Sequence, residues 1–185
     1  NYLQENFSLD KVNKKSAVFD TTKLEWVSSQ NIFKIPAAKL VDIASEFDPT
    51  WCGEGHNLDY LVNVIEMIKD RIKTLSDIKE NAYYFFNHPI KHDEAAIEKC
   101  WGENTNGMLK SFQEELSKLD DWNSSNIDEL IDKCVSAFNV GKGKLMQPLR
   151  IALTGALIGP SIPDLMTILG EATCLIRIKN ILKNN

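Results

Sequence analysis

At 185 residues, with 43% hydrophobic and 25% charged side chains, the chain has the composition of a globular protein able to build a core without disulfide or metal staples. Its net charge of −5 excludes indiscriminate nucleic-acid binding through a uniformly basic surface. The charge is unevenly spread, since residues 140–185 carry six Lys/Arg against two Asp/Glu and leave the first 139 residues strongly acidic, which permits a local cationic face on an acidic body.

In chain order, nearly every segment reads as helix, with no period-two run long enough for a sheet. Thr22 and Glu25 have capping-box spacing and predict a helix over about 22–33 that buries Leu24, Val27 and Ile32 or their neighbours. Pro36 starts the next helix. Over residues 57–73 the spacing of Leu61, Ile65, Ile68 and Ile72 predicts one long amphipathic helix that ends at Arg71, beside Lys69 and Lys73. Thr74 with Asp77 then caps a helix toward Phe86, and His88-Pro89 breaks it. Helices near 93–101 and 105–119 follow, and Ser125 with Asp128 predicts another through Asn139. The polar Asp120-Asp121-Trp122-Asn123-Ser124-Ser125 stretch marks a boundary, giving expected units at 1–35, 36–122 and 123–185. Beyond it Pro148 suits a first helical position after Gln147, and Leu145, Leu149, Leu153 and Leu157 form one apolar stripe. Gly159-Pro160-Ser161-Ile162 then makes a turn that brings main-chain donors and acceptors to a surface with little side-chain bulk.

Four cysteines, at 52, 100, 134 and 174, lack paired spacing and predict reduced thiols in a cytoplasmic setting. No apolar run reaches the roughly 18 residues of a membrane span. The first residue is Asn1 rather than Met, which predicts a piece of something longer. Gly141-Lys142-Gly143-Lys144 is not a phosphate loop, because the four-residue spacer and the hydroxyl after the lysine are both missing. His88 and His92 are four apart, yet Pro89 lies between them and no third ligand is placed, so no metal site is expected. No nucleophile–base pair emerges either, and no catalytic residue is assigned. The four tryptophans are expected to pack rather than stack bases. Arginines at 71 and 150 stand out because a guanidinium forks onto a base edge or phosphate where an ammonium cannot, although by spacing alone Arg71 also reads as a solvated cation at a helix end and the turn near Arg150 as helix punctuation.

Several blocks resemble the C-terminal anticodon-binding part of bacterial glutamyl-tRNA synthetases. They are Ala17-Val18-Phe19-Asp20 with Lys23-Leu24-Glu25-Trp26; Lys69-Asp70-Arg71 with Lys73-Thr74-Leu75 and Tyr84-Phe85-Phe86; and Gln147-Pro148-Leu149-Arg150 with Leu153-Thr154-Gly155, Gly159-Pro160, Ile168-Leu169-Gly170 and Arg177. The resemblance implies an all-α fold, the end of a connecting domain followed by two helical anticodon-binding domains. It places Arg71 at the last anticodon base, where arginine goes with preference for glutamate tRNA over glutamine tRNA. Arg150, Gly159, Pro160 and Ile162 fall where the family reads the first anticodon bases, with Gly159 replacing the threonine of some members. Lys69, Lys142 and Lys144 are candidate phosphate contacts. The implied partner is tRNA(Glu), with neither DNA nor a membrane, in a monomeric cytoplasmic parent that uses ATP and Mg2+. No cofactor is expected in these 185 residues, where neither a HIGH-type nor a KMSKS-type motif occurs. The alternative is a helical protein-interaction module that uses exposed apolar grooves instead of cations.

Overall fold

The structure is a computed structural model that describes residues 2–8 and 18–184; Ala17, the first residue of the N-terminal block, lies outside them. Among the described residues every regular element is an α-helix: α1 (Tyr2–Asn6), α2 (Thr21–Lys34), α3 (Ala37–Phe47), α4 (Leu58–Ile68), α5 (Asp77–Phe86), α6 (Glu94–Cys100), α7 (Thr105–Leu116), α8 (Ser124–Ala137), α9 (Gly143–Thr154), α10 (Ile162–Leu169) and α11 (Glu171–Asn184).

Caps set these boundaries, and several differ from the expected ones. The α2 cap is Asp20, whose carboxylate accepts from the Lys23 amide at 3.0 Å, so Thr22 is already inside the helix. Ile32 is buried as expected, but Leu24 and Val27 are exposed. Pro36 stands at the α3 N-cap. Asn57 caps α4 by accepting from the Tyr60 amide at 2.8 Å. The helix stops at Ile68 rather than running to Lys73. Beyond it the chain turns tightly, and the Asp77 carboxylate takes the amides of Lys73 and Thr74 at 2.8 and 2.9 Å, which shapes the approach to α5. Arg71 therefore sits in a turn, its amide bonded to the Ile68 carbonyl at 2.8 Å. For α8 the cap is Asn123 instead of Ser125.

In α9, Pro148 is the sixth residue, not the first. The helix opens tightly, with Lys144 and Leu145 amides bonding three residues back to Gly141 and Lys142 at 2.9 and 3.2 Å. The bond that Pro148 cannot make is the one to Lys144, an exposed residue in that opening turn. Leu145, Leu149 and Leu153 are fully buried, whereas Leu157 is exposed because Gly155, at φ +88°, has already ended the helix.

Packing sorts the helices into two groups. Helix α4 packs on α3 and α5; α6 packs on α9, and α7 on α8, α9 and α11. The polar stretch at 120–125 is thus a reversal between α7 and α8, which pack together, and Trp122 ties it down by donating its indole N–H to the Met166 carbonyl at 3.0 Å. Contacts between α4 and α10 join the groups over a continuous core that includes Ile65, Ile68, Leu109, Phe112, Leu145 and Leu149.

Arg177, on α11, locks the junction. It is 3% exposed, and its Nη1 donates to the carbonyls of Tyr84 (2.8 Å) and Leu153, its Nη2 to that of Asn87 (3.0 Å) and its Nε to His88 Nδ1 (3.3 Å). These carbonyls belong to the C-terminal ends of α5 and α9, where helices leave acceptors unpaired and where the macrodipole favours a cation. Burial lowers the guanidinium pKa, yet four hydrogen bonds hold the charge in place. Replacing Arg177 with Met strands three carbonyls and should lower stability by about 3 kcal/mol or more. Arg177→Lys should lose less, because one ammonium cannot span all the acceptors yet keeps some of them paired. Urea unfolding checks both, and an unchanged midpoint for Arg177→Met would refute the role.

Candidate nucleic-acid interface

Two loops meet on one face of the junction. The first is the turn after α4 that carries Arg71. The second covers residues 155–161, between α9 and α10. It is shaped from within: the Thr154 hydroxyl lies 2.9 and 2.8 Å from the carbonyls of Arg150 and Ala156, and Arg150 Nη1 donates to the Pro160 carbonyl and, at 3.4 Å, to that of Ile158. Ser161 caps α10 through the Asp164 amide, and the Asp164 carboxylate accepts from the hydroxyls of Ser161 and Ser124.

Tyr84 lies beneath this face. It is 3% exposed, and burial pushes its phenol up to about 12, partly countered by the charges of Arg71 and Arg150. Burial also lowers the Arg150 pKa, and the neighbouring charge of Arg71 lowers it further. The two guanidinium groups therefore share one electrostatic environment. An open cavity of about 580 Å³ lies between the loops, with Met67, Asp70 and Arg71 on the α4 side and Pro160, Ser161 and Thr167 on the α10 side. That volume falls within the range of small-ligand sites.

The candidates identified from the sequence fare differently. Arg71 is exposed, and its nearest ion-pair partner is Asp70 at 3.7 Å, a surface pair that holds it weakly. Arg150 is half-buried, with part of its donor set committed to the turn. Pro160 is buried, Gly159 half-buried, and Ile162 fully buried as the first residue of α10, so Ile162 presents no side chain to the surface. Lys69 is tucked away, with a 10% exposed side chain 5.8 Å from the Phe33 ring and 3.9 Å from Glu66. Asp128 and Asp132 hold Lys142 at 2.8 and 2.9 Å. Lys144 is exposed but lines a separate cavity with Glu103 and Asn104. Trp51, Trp101 and Trp122 each donate an indole N–H internally, and Trp26 is exposed. His88 accepts from Arg177, and all four cysteines are buried. Among the described residues no cluster of three or more His, Cys, Asp or Glu side chains could hold a metal ion, and no helix is long and apolar enough to cross a membrane.

Sequence reasoning missed the parts played by Tyr84 and Arg177. Both stand in the motif blocks, but nothing in one dimension reveals that Tyr84 is the floor beneath two arginines or that Arg177 points inward.

The arrangement defines a helical body with a guanidinium-bearing face, suited to a flexible polyanion. A family model described as an anticodon binding domain matches residues 37–182, and the chain belongs to that family. It is 37% identical to a glutamate–tRNA ligase of Chloroherpeton thalassium, over 97% of this chain and 37% of that protein, and 32% identical to one of Pelodictyon phaeoclathratiforme, over 95% and 37%. A crystal structure of a glutamate tRNA ligase from Elizabethkingia meningosepticum, in complex with its amino acid, is similar with a TM-score of 0.86 and 29% identity over 96% of this chain and 35% of that one. The chain thus spans little more than a third of the length of these relatives.

Gly159 is required by its backbone. At φ +112°, an added Cβ would lie 3.4 Å from the Thr154 methyl and the Tyr84 hydroxyl and 3.5 Å from Arg150 Nη1, which is ordinary contact. The penalty of Gly159→Ala is therefore conformational, about 1–2 kcal/mol, and should appear as a lowered Tm in thermal unfolding.

Proposed function

We propose that this chain reads the anticodon of tRNA(Glu) as the C-terminal part of a glutamate–tRNA ligase, a monomeric cytoplasmic enzyme that activates glutamate with ATP and Mg2+ and transfers it to the tRNA. The observation that carries the reading is the convergence of Arg71, Arg150 and the Gly159-Pro160 turn on one face, in a chain of the anticodon-binding family. Splayed single-stranded bases are read on their edges by side chains and main-chain groups of this kind. Arg71, with its guanidinium exposed, is the base reader, and Arg150 holds the turn in shape while offering its remaining donors. Pro160 and Gly159 contribute through the main chain, and Ile162 supports the turn from the core. Helix packing supports placing the joint between the two helical units near residues 87–93, after α5.

Arg71→Gln should narrow discrimination against glutamine tRNA, with a modest loss of affinity, in competitive aminoacylation by the whole ligase. A good bidentate base contact discriminates by about 1–3 kcal/mol, so the change should be about tenfold or more. Equal discrimination by variant and wild type would reject the assignment.

Binding of a fluorescent glutamate-anticodon stem-loop should weaken with salt, the logarithmic slope falling by about 0.7 for each phosphate neutralised. Salt-insensitive association would favour the protein-interaction alternative. Lys142→Ala should leave stem-loop affinity nearly unchanged, within about twofold, because two aspartates already hold that ammonium.

A further inference from the structure

Beside the guanidinium face lies a second, more apolar cavity of about 440 Å³, lined by Tyr83, Thr154 and Ile158, with Ser76, Lys79 and Glu80 also around it. Tyr83 and Ile158 are 47% and 53% exposed, high values for large apolar side chains placed together at a pocket. We propose that this cavity is a stacking subsite for one unpaired nucleobase of the same RNA loop, held between the Tyr83 ring and the Ile158 side chain; the proposal rests on the anticodon-reading function above.

Continuity with the arginine face favours a base. The Ile158 carbonyl accepts from Arg150, and Thr154 and Tyr84, which line this cavity, also underlie the Gly159 turn. A strand with one base read at Arg71 and its backbone passing the remaining donors of Arg150 thereby brings another base to a neighbouring aromatic surface, the usual pairing of cation and ring in single-strand binding. A docked protein helix would need apolar anchors over two turns, whereas the large exposed apolar residues here are two. Exposed Glu80 adds chemistry: a carboxylate accepts from an exocyclic amine, so the subsite should favour a base that carries one.

The test uses a fluorescent anticodon stem-loop with each loop base removed in turn, and measures anisotropy with wild type, Tyr83→Ala, Tyr83→Phe and Glu80→Ala. Tyr83→Ala should weaken binding about tenfold, and Tyr83→Phe, which keeps the ring, less than about twofold. One loop position should lose affinity on base removal with wild type but not with Tyr83→Ala, and Glu80→Ala should erase the preference for an amine-bearing base there. Wild-type affinity in Tyr83→Ala while Arg71→Gln still binds more weakly overturns the stacking subsite and leaves the reading of the arginine face intact. A wild-type chain that binds no stem-loop overturns both.

Discussion

A single buried cation holds the two helical groups in register. Arg177 enters from the last helix and ties together the ends of α5 and α9, satisfying carbonyls that a helix terminus leaves open. The consequence reaches the surface. The Tyr84 carbonyl belongs to this lock, while the Tyr84 hydroxyl lies beneath the Gly159 turn; Leu153 stands one turn beyond Arg150 on α9. One guanidinium turned into the interior thus helps set where the two near the surface, Arg71 and Arg150, stand.

The arginine-bearing face shows how an acidic protein presents cations selectively. Lys142 is neutralised by two aspartates and Lys69 is folded against Phe33 and Glu66, while Arg71 has only a loose neighbour in Asp70. Such pairing trims the general attraction to polyanions and leaves the exposed charge concentrated near Arg71. Arg150 serves both structure and surface. Its hydrogen bonds to Pro160 and Ile158 hold the turn, and that turn separates the polar cavity at Arg71 from the apolar one at Tyr83.

Much of the helical organisation was legible in the sequence because apolar period and glycine placement are local. Ile65 and Ile68 on α4, and Leu145, Leu149 and Leu153 on α9, are buried as their spacing predicts, while Ile72 is buried from the turn beyond α4. Errors arose at helix ends, where more than one polar residue stands ready to cap. Asp20 rather than Thr22 caps α2, Asn123 rather than Ser125 caps α8, and α4 gives way to a turn before Arg71. Leu24 and Val27 obey the helical period yet remain exposed, since periodicity describes a face and says nothing of what covers it.

The helical class, the run of most apolar stripes and the blocks that resemble the anticodon-binding family can be read along the chain, because these depend on neighbours within a turn or two. Which cations are available emerges only when the helices pack. Lys142 meets aspartates from α8, Lys69 meets a ring on α2, Arg177 turns into a junction, and Arg71 stays exposed near Arg150. Charges interact through distances in space, and those distances exist only once the helices have packed.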